Sequence, residues 1–99
     1  MKQHQYRITV EHLARADGSP SPYTAPLQFA VGNHDDLLQI AQRLRQRDDL
    51  AGINSDAFAI GLKLFGEVLL EHKQHPLFAE LRPHFAAFMQ QLKKGAAAQ

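Results

Sequence analysis

The fold that we predict for this chain is built around the stretch SDAFAIGLKLFGEVLLEH, residues 55–72. Between Ala57 and Leu70, every position except Lys63 and Glu67 is apolar or glycine. A surface helix normally has a single apolar stripe, so a helix that is apolar nearly all round is expected to be buried on most sides. A membrane span needs about 20 apolar residues, and this segment is shorter and interrupted by charge. We therefore predict the central helix of a small core.

The composition is that of an ordinary globular protein. The chain has 99 residues, of which 44% are hydrophobic and 21% charged, so we expect one domain over residues 1–95 with a frayed tail at 96–99. The absence of cysteine excludes disulfides, cysteine nucleophiles and thiolate zinc sites.

Charge and patterning also bear on partners and location. The formal net charge is +1, whereas nucleic-acid-binding domains usually carry a strong basic excess on one face. The first ten residues, MKQHQYRITV, lack the apolar run of a signal peptide. We therefore expect a cytoplasmic protein with no nucleic-acid partner and no membrane partner.

Two segments alternate between apolar and polar residues, as half-buried strands do. An antiparallel hairpin is the simplest way to pair them, but we see no third strand, and an isolated pair of strands is marginally stable. The hairpin also leaves an open edge, which proteins usually cover or pair, so two copies could join into a four-stranded sheet. The apolar positions are Tyr6, Ile8 and Val10 in the first segment and Leu27, Phe29 and Val31 in the second.

Three helices are predicted after the hairpin. The first begins at a cap formed by Asn33 or His34, and the central helix begins at Asn54 or Ser55. In the third, Pro83 either follows a short turn and starts the main helix or kinks a longer one, and the first arrangement is favoured. Gly95 is expected to stop it. The predicted fold is α+β, with an N-terminal two-stranded antiparallel hairpin packed on three helices.

Two finer features of these segments are also expected. In the first helix, Asp35 and Asp36 are expected in the first turn, where carboxylates suit the positive helix end. Leu37, Ile40, Ala41 and Leu44 form one apolar stripe. In the central helix, Gly61 and Gly66 each cost about 1 kcal/mol relative to alanine. We expect a neighbouring strand or helix to approach closely at both glycines, and the alternative is a ligand in a notch that the glycines leave.

The segment RADGSPSPYTA, residues 15–25, has the glycine and prolines of a loop. It is longer than the 2–5 residues of a tight hairpin turn. Tyr23 within it either folds back onto the core or contacts a partner, since loops often carry binding groups.

The chain shows no recognisable catalytic motif. Its serines lie in no G-x-S-x-G context, and it has no phosphate-binding glycine loop and no H-E-x-x-H motif. His72 and His75 could share a helix face, but a metal site would still need a third ligand. Three arginines at 43, 45 and 47 either complement the helix dipole or form a phosphate-binding patch. We expect no cofactor, no bound metal and no catalytic residue.

Two strings resemble a known family. These are M-K-x-H-x-Y-R-I-T-V-E at residues 1–11 and Q-F-x-V-G-N-H-D-D-L at residues 28–37. They are similar to a small family of uncharacterised bacterial proteins of about this length, catalogued as a domain of unknown function. The resemblance implies a bacterial cytosolic protein and implies no catalytic residue, cofactor or partner. It makes a candidate polar cluster of His4, Tyr6, Arg7, Asn33, His34 and Asp35.

Two functions from different classes remain. The first is a non-enzymatic interaction or accessory domain, homodimeric through a strand edge or bound to a protein partner, with Arg7 and Tyr23 on the contact surface. The second is a small-ligand or metal-binding protein. It requires at least three residues of a polar set to converge in one concavity: His4, His12, His34, His72, His75 and Glu71.

Overall fold

The computed structural model describes residues 2–97, so positions 98 and 99 of the expected frayed tail lie outside the described residues. The chain forms two compact units that divide between His34 and Asp35. A two-stranded antiparallel hairpin is followed by helices, which confirms the predicted α+β class. The elements in order are β1 (His4–Val10), β2 (Leu27–Asn33), α1 (Leu37–Arg45), a short 3-10 helix (Asp48–Leu50), α2 (Ser55–Glu71), α3 (Pro76–Ala79) and α4 (Leu81–Ala97).

The hairpin has a regular register of seven residue pairs, from His4 opposite Asn33 to Val10 opposite Leu27. Because side chains alternate between the faces of a sheet, the predicted apolar residues share one face. Ile8 lies opposite Phe29 on that face, and the polar face carries pairs such as Arg7 with Ala30. The period-two pattern therefore predicted both strands and the apolar residues that share a face, but Val10, Leu27 and Phe29 on that face are exposed and not buried as predicted.

The connection between the strands contains a tight turn of its own. The Arg15 and Ser19 backbones pair around a three-residue loop, with the Arg15 N–H donating to the Ser19 carbonyl at 2.9 Å. Gly18 closes this loop at φ +90°, a conformation that glycine adopts without steric cost. Such three-residue hairpin loops commonly end on a glycine in the left-handed region. The Asp-Gly pair was the signal for this turn, and reading residues 15–25 as one long loop missed it.

Helix α1 begins later than predicted. Its cap is Asp36, whose carboxylate accepts a hydrogen bond from the Gln39 N–H at 3.1 Å, so neither Asn33 nor His34 caps it. Asp35 precedes the helix and does not lie in its first turn. A carboxylate directly before the first apolar residue, Leu37, can satisfy the free N–H groups of the first turn, which fixes the start there.

The packed core of the helical unit lies between α1 and α2. Ala41 and Leu44 of α1 are 7% and 8% exposed, and Ala59 of α2 is 1% exposed. Partly buried residues close this cluster, among them Ile40 and Phe58. The apolar stripe predicted for α1 is therefore the face that packs. Asn54 caps α2 by accepting a hydrogen bond from the Ala57 N–H at 3.1 Å, as expected.

The prediction that the central helix is buried on most sides is wrong. In α2, Phe65, Val68 and Leu70 are 40%, 42% and 39% exposed, whereas Glu67 is only 4% exposed. At 1.5 Å per residue, the nine residues of α1 span about 14 Å and the 17 residues of α2 about 26 Å. The shorter helix therefore covers only part of the longer one.

The third predicted helix is two helices. Pro76 is the first residue of α3, and His75 caps it, with its Nδ1 accepting a hydrogen bond from the Leu77 N–H at 3.1 Å. Helix α4 then begins at Leu81, so Pro83 lies in its first turn, where a missing N–H is tolerated. Gly95 does not end α4, which continues through Ala97.

Phenylalanine rings connect α2 to the later helices. Phe65 makes edge contacts with Phe78 and Phe85 at ring-centroid distances of 6.5 and 5.9 Å, and Phe58 contacts Phe88 at 6.2 Å. Edge-to-face pairs of this kind stabilise by about 0.5–1.5 kcal/mol beyond the area they bury.

In the part of the chain that the structure describes, no helix has the length and apolarity needed to cross a bilayer.

The two glycines of α2 differ in their surroundings. A Cβ added at Gly61 would have no heavy atom within 4 Å, whereas one added at Gly66 would lie 3.4 Å from the Phe85 ring. The expected close approach is therefore present at Gly66 and absent at Gly61.

We predict that Gly61→Ala raises the free energy of unfolding by about 1 kcal/mol, because alanine restricts the unfolded chain and fits the open space. Gly66→Ala should raise the free energy of unfolding by less, since its methyl group would press on the Phe85 ring. Urea unfolding followed by helical circular dichroism measures both. A neutral or destabilising Gly61→Ala would contradict this assignment of open space.

An exposed ion pair joins the end of α1 to the start of α2. Both Arg45 guanidinium contacts to the Asp56 carboxylate are 2.7 Å. Hydrogen bonding to Arg45 holds the pKa of Asp56 below its ordinary value of 3.8. A lowered folded-state pKa means that the pair stabilises the fold above pH 3.8 and that this contribution is lost as the pH falls through the lower value.

We predict that Arg45→Gln raises the pKa of Asp56 toward 3.8, and that it lowers stability at neutral pH but not at strongly acidic pH. Carboxyl-carbon NMR titration and unfolding at several pH values measure these effects. Arg43→Gln, which removes a cation two residues away and so on the opposite side of α1, is the matched control and should leave the Asp56 titration unchanged. An unaltered Asp56 pKa in Arg45→Gln would refute the pairing.

Candidate interaction surface

Three of the predicted site residues come together on one face of the hairpin. His4 lies directly opposite Asn33 in the register, and the His4 and Tyr6 rings stack at a centroid distance of 6.2 Å. Asn33 is 1% exposed. Among residues 2–97, no buried side-chain nitrogen or oxygen lacks a hydrogen-bond partner. These three residues therefore make a small polar group at the end of the strands where β1 begins.

The other predicted site residues lie elsewhere. Arg7 is on the opposite face of the hairpin. Tyr23 lies in the connection after Val10, and Val10 is itself about 20 Å from His4 along β1. His34 follows β2. Asp35 belongs to the helical unit, where its carboxylate pairs with the Lys63 ammonium at 2.9 Å. The seven candidates therefore do not form one cluster.

A separate group of side chains orders the connection between the strands. His12 Nδ1 and Ser21 Oγ are 2.6 Å apart, and the Tyr23 N–H donates to the same Ser21 oxygen at 3.2 Å. The Tyr23 ring meets the His12 ring edge-on at 5.2 Å. Tyr23 is 69% exposed, so it does not fold back onto a core and remains available for contact.

The His12–Ser21 pair is a contact that sequence reasoning missed, because the path of the loop brings together residues nine positions apart. A serine next to a histidine can act as a nucleophile with its base, but catalytic triads also have an acid that orients the histidine. Over residues 2–97, His12 has no carboxylate partner. The adjoining cavity of about 220 Å³ is smaller than the roughly 300 Å³ at which small-molecule pockets begin.

Three of the six polar residues that the second function requires do line one concavity, but they are not placed to hold a metal ion. His72, His75 and Glu71 line one open cavity of about 560 Å³ at the turn after α2, but its lining is a single run of consecutive residues. His75 already uses its Nδ1 to cap α3. The described residues contain no group of three or more histidine, aspartate or glutamate side chains placed to hold a metal ion.

The second strand offers an unprotected edge. Between Leu27 and Asn33 there is no charged residue and no proline, and the register is uninterrupted. Sheets usually guard exposed edges with charges, prolines or bulges, and β1 at least carries Arg7. The sheet that residues 2–97 form has only two strands. Each strand therefore has one side that is not paired to another strand.

Large apolar side chains are exposed near this edge. Leu27 and Phe29 of β2 are 63% and 41% exposed, and Val10 of β1 is 56% exposed. Leu13, just beyond β1, is 79% exposed. Single exposed apolar residues are common, but a contiguous group of them marks an interaction surface. Together with the open edge, these residues form the candidate interaction surface.

Comparisons with known proteins agree with the resemblance carried by residues 1–11 and 28–37. The model of the family DUF3861, a domain of unknown function with a solved structure, matches residues 4–94. The chain is also similar to the crystal structure of a protein of unknown function from Pectobacterium atrosepticum. That match has 36% sequence identity and a TM-score of 0.74, and it covers 94% of this chain and 99% of the other. No curated protein matches the chain. The chain therefore belongs to the DUF3861 family.

Proposed function

We propose that this protein is a non-enzymatic interaction domain that forms a homodimer by pairing the β2 edges of two hairpins. The product is a four-stranded antiparallel sheet with β1 strands on the outside and a two-fold axis between the two copies of β2. A two-fold pairing uses the same surface on both copies, so a single unprotected edge is sufficient. The observation that carries the proposal is the edge of β2, which has no charge, proline or bulge and is exposed at residues 27–30.

The stability of a small sheet supports this arrangement. An isolated hairpin is marginal in water, whereas three or more strands with an apolar face gain independent stability. Joining two β2 strands satisfies backbone N–H and C=O groups on both edges. With the two-fold axis at Ala30, it also places Phe29 of one copy opposite Val31 and diagonal to Phe29 of the other, which removes exposed apolar area from water.

The choice of β2 over β1 follows from the charges. Pairing two β1 strands would bring two copies of Arg7 toward each other at the new junction, and like charges on facing strands are destabilising. The corresponding position on β2 is Ala30, which lies opposite Arg7 in the register. A small uncharged residue there permits close approach of a second edge.

The same register provides a sharp test. In Ala30→Glu, the new carboxylate faces Arg7 within its own hairpin, so the hairpin should keep its stability through a cross-strand ion pair. Across the dimer junction, the two new carboxylates repel each other. We predict that the dimer dissociation constant rises by at least about tenfold. Sedimentation velocity over a range of concentrations, together with native mass spectrometry, measures the change.

Two matched controls separate charge from position. Ala30→Gln has the same size without the charge and should change the dissociation constant by less than about threefold. Thr9→Glu places a carboxylate on β1 and should also leave the dimer intact. A wild-type protein that stays at 11.1 kDa at every concentration overturns the proposal. A dimer that resists Ala30→Glu but is broken by Thr9→Glu overturns the assignment to β2.

A further inference from the structure

A cavity in the helical unit is lined by apolar side chains from three helices. It lies among α1, α2 and α4 and has a volume of about 460 Å³, within the roughly 300–1,000 Å³ typical of small-molecule pockets. Such a lining favours an aliphatic group, because contact with it removes apolar area from water. The apolar residues are Ile40, Leu44, Leu62, Met89 and Leu92.

The charged residues that line this cavity are all cationic. They are Arg43 and Arg47 near the end of α1, Lys63 of α2 and Lys93 of α4, and no carboxylate lines the cavity with them. The stems of lysine and arginine can cover apolar surface while their charged ends reach water. An apolar lining whose charged groups are all positive is complementary to a ligand with an aliphatic body and an anionic end.

Two of these cations are compensated and two are not. Lys63 pairs with Asp35 at 2.9 Å, and Arg47 donates to the Asp49 carboxylate at 2.9 and 2.5 Å. Neither Arg43 nor Lys93 forms an ion pair with any carboxylate of residues 2–97. The cavity therefore carries an excess positive charge from one residue of α1 and one of α4.

Arg47 is held in place at the edge of the cavity. Its side chain is 9% exposed, and besides its two contacts with Asp49 it donates to the Leu92 carbonyl at 3.2 Å. A Cβ added at Gly95 would meet the Arg47 guanidinium and lie 3.1 Å from Asp49, so the glycine leaves room for this arrangement. One wall of the cavity is therefore fixed by hydrogen bonds that join residues 47 and 92.

We propose that this cavity binds an aliphatic carboxylate. The carboxylate would be bound by Arg43 and Lys93, because a guanidinium can donate two parallel hydrogen bonds to one carboxylate. The chain would lie along the apolar lining between α1, α2 and α4. This site is distinct from the β2 edge, since every residue that forms it belongs to the helical unit.

The test uses the full-length protein, isotopically labelled, and dodecanoate below its critical micelle concentration. Backbone amide NMR titration should show saturable shifts at residues lining the cavity, with a dissociation constant at or below about 1 mM. Dodecyltrimethylammonium has a similar chain with the opposite charge and should bind at least about tenfold more weakly. Raising the salt concentration should weaken dodecanoate binding, since exposed charges are screened.

Variants assign the carboxylate contact to named residues. The double variant Arg43→Gln with Lys93→Gln should weaken dodecanoate binding by at least about tenfold. Both residues are exposed, so the variant should remain folded, which the amide spectrum verifies directly. Arg45→Gln removes a cation of the same helix that pairs with Asp56 and does not line the cavity. It should leave the binding unchanged within about twofold.

Several results would overturn the proposal. These are the absence of saturable dodecanoate binding, equal binding of the cationic analogue, or amide shifts that map to the hairpin. Unchanged binding in the double variant would remove Arg43 and Lys93 from the site. If an acidic amphipathic peptide bound the cavity while dodecanoate did not, the surface would be one for proteins and the proposal would be wrong.

Discussion

The close packing of α1 against α2 is the interaction on which the helical unit depends. Alanine stands at the contact on both helices, at Ala41 and Ala59, and both side chains are buried. Small residues let two helix backbones approach each other closely. Because the packing is dense, the loss of even one buried methyl group lowers stability. The two helices in this contact form two of the walls of the cavity among α1, α2 and α4. It also brings Arg45 within reach of Asp56 and Lys63 within reach of Asp35.

The sequence predicted the periodic segments well, but it placed the start of α1 and the end of α4 wrongly and predicted environments poorly. Alternation predicted both strands, and Asn54, one of the two residues proposed to cap α2, does cap it, because capping depends on residues within one turn. The exposure of Phe65 could not be predicted, because it depends on how many neighbours reach α2 and not on the composition of α2. The candidate site shows the same limit on prediction. His4 and Asn33 meet through the strand register, which the alternation pattern predicts, whereas His12 and Ser21 meet because of the path of a loop, which has no periodic sequence pattern.

The two proposed surfaces share one physical origin. A small chain with short helices leaves apolar groups that its own elements do not cover, and a neighbouring molecule can cover them instead. On the hairpin, unpaired backbone groups accompany Leu27 and Phe29, which favours another strand. In the helical unit, the apolar lining is accompanied by Arg43 and Lys93, which favours an anion with an aliphatic body. In both proposals the polar groups would select the class of ligand, while the apolar groups would supply most of the contact area.

The tight turn between Arg15 and Ser19 has a consequence for the order in which the hairpin folds. Without it, pairing Val10 with Leu27 would require closing a 16-residue loop in one step, and closure entropy rises with loop length. The three-residue loop ending at Gly18 forms from neighbouring residues, after which the His12–Ser21 contact and the strand pairs can add one after another. A connection that looks long in sequence therefore contains contacts of short sequence separation, which lowers the closure entropy that each further contact has to overcome.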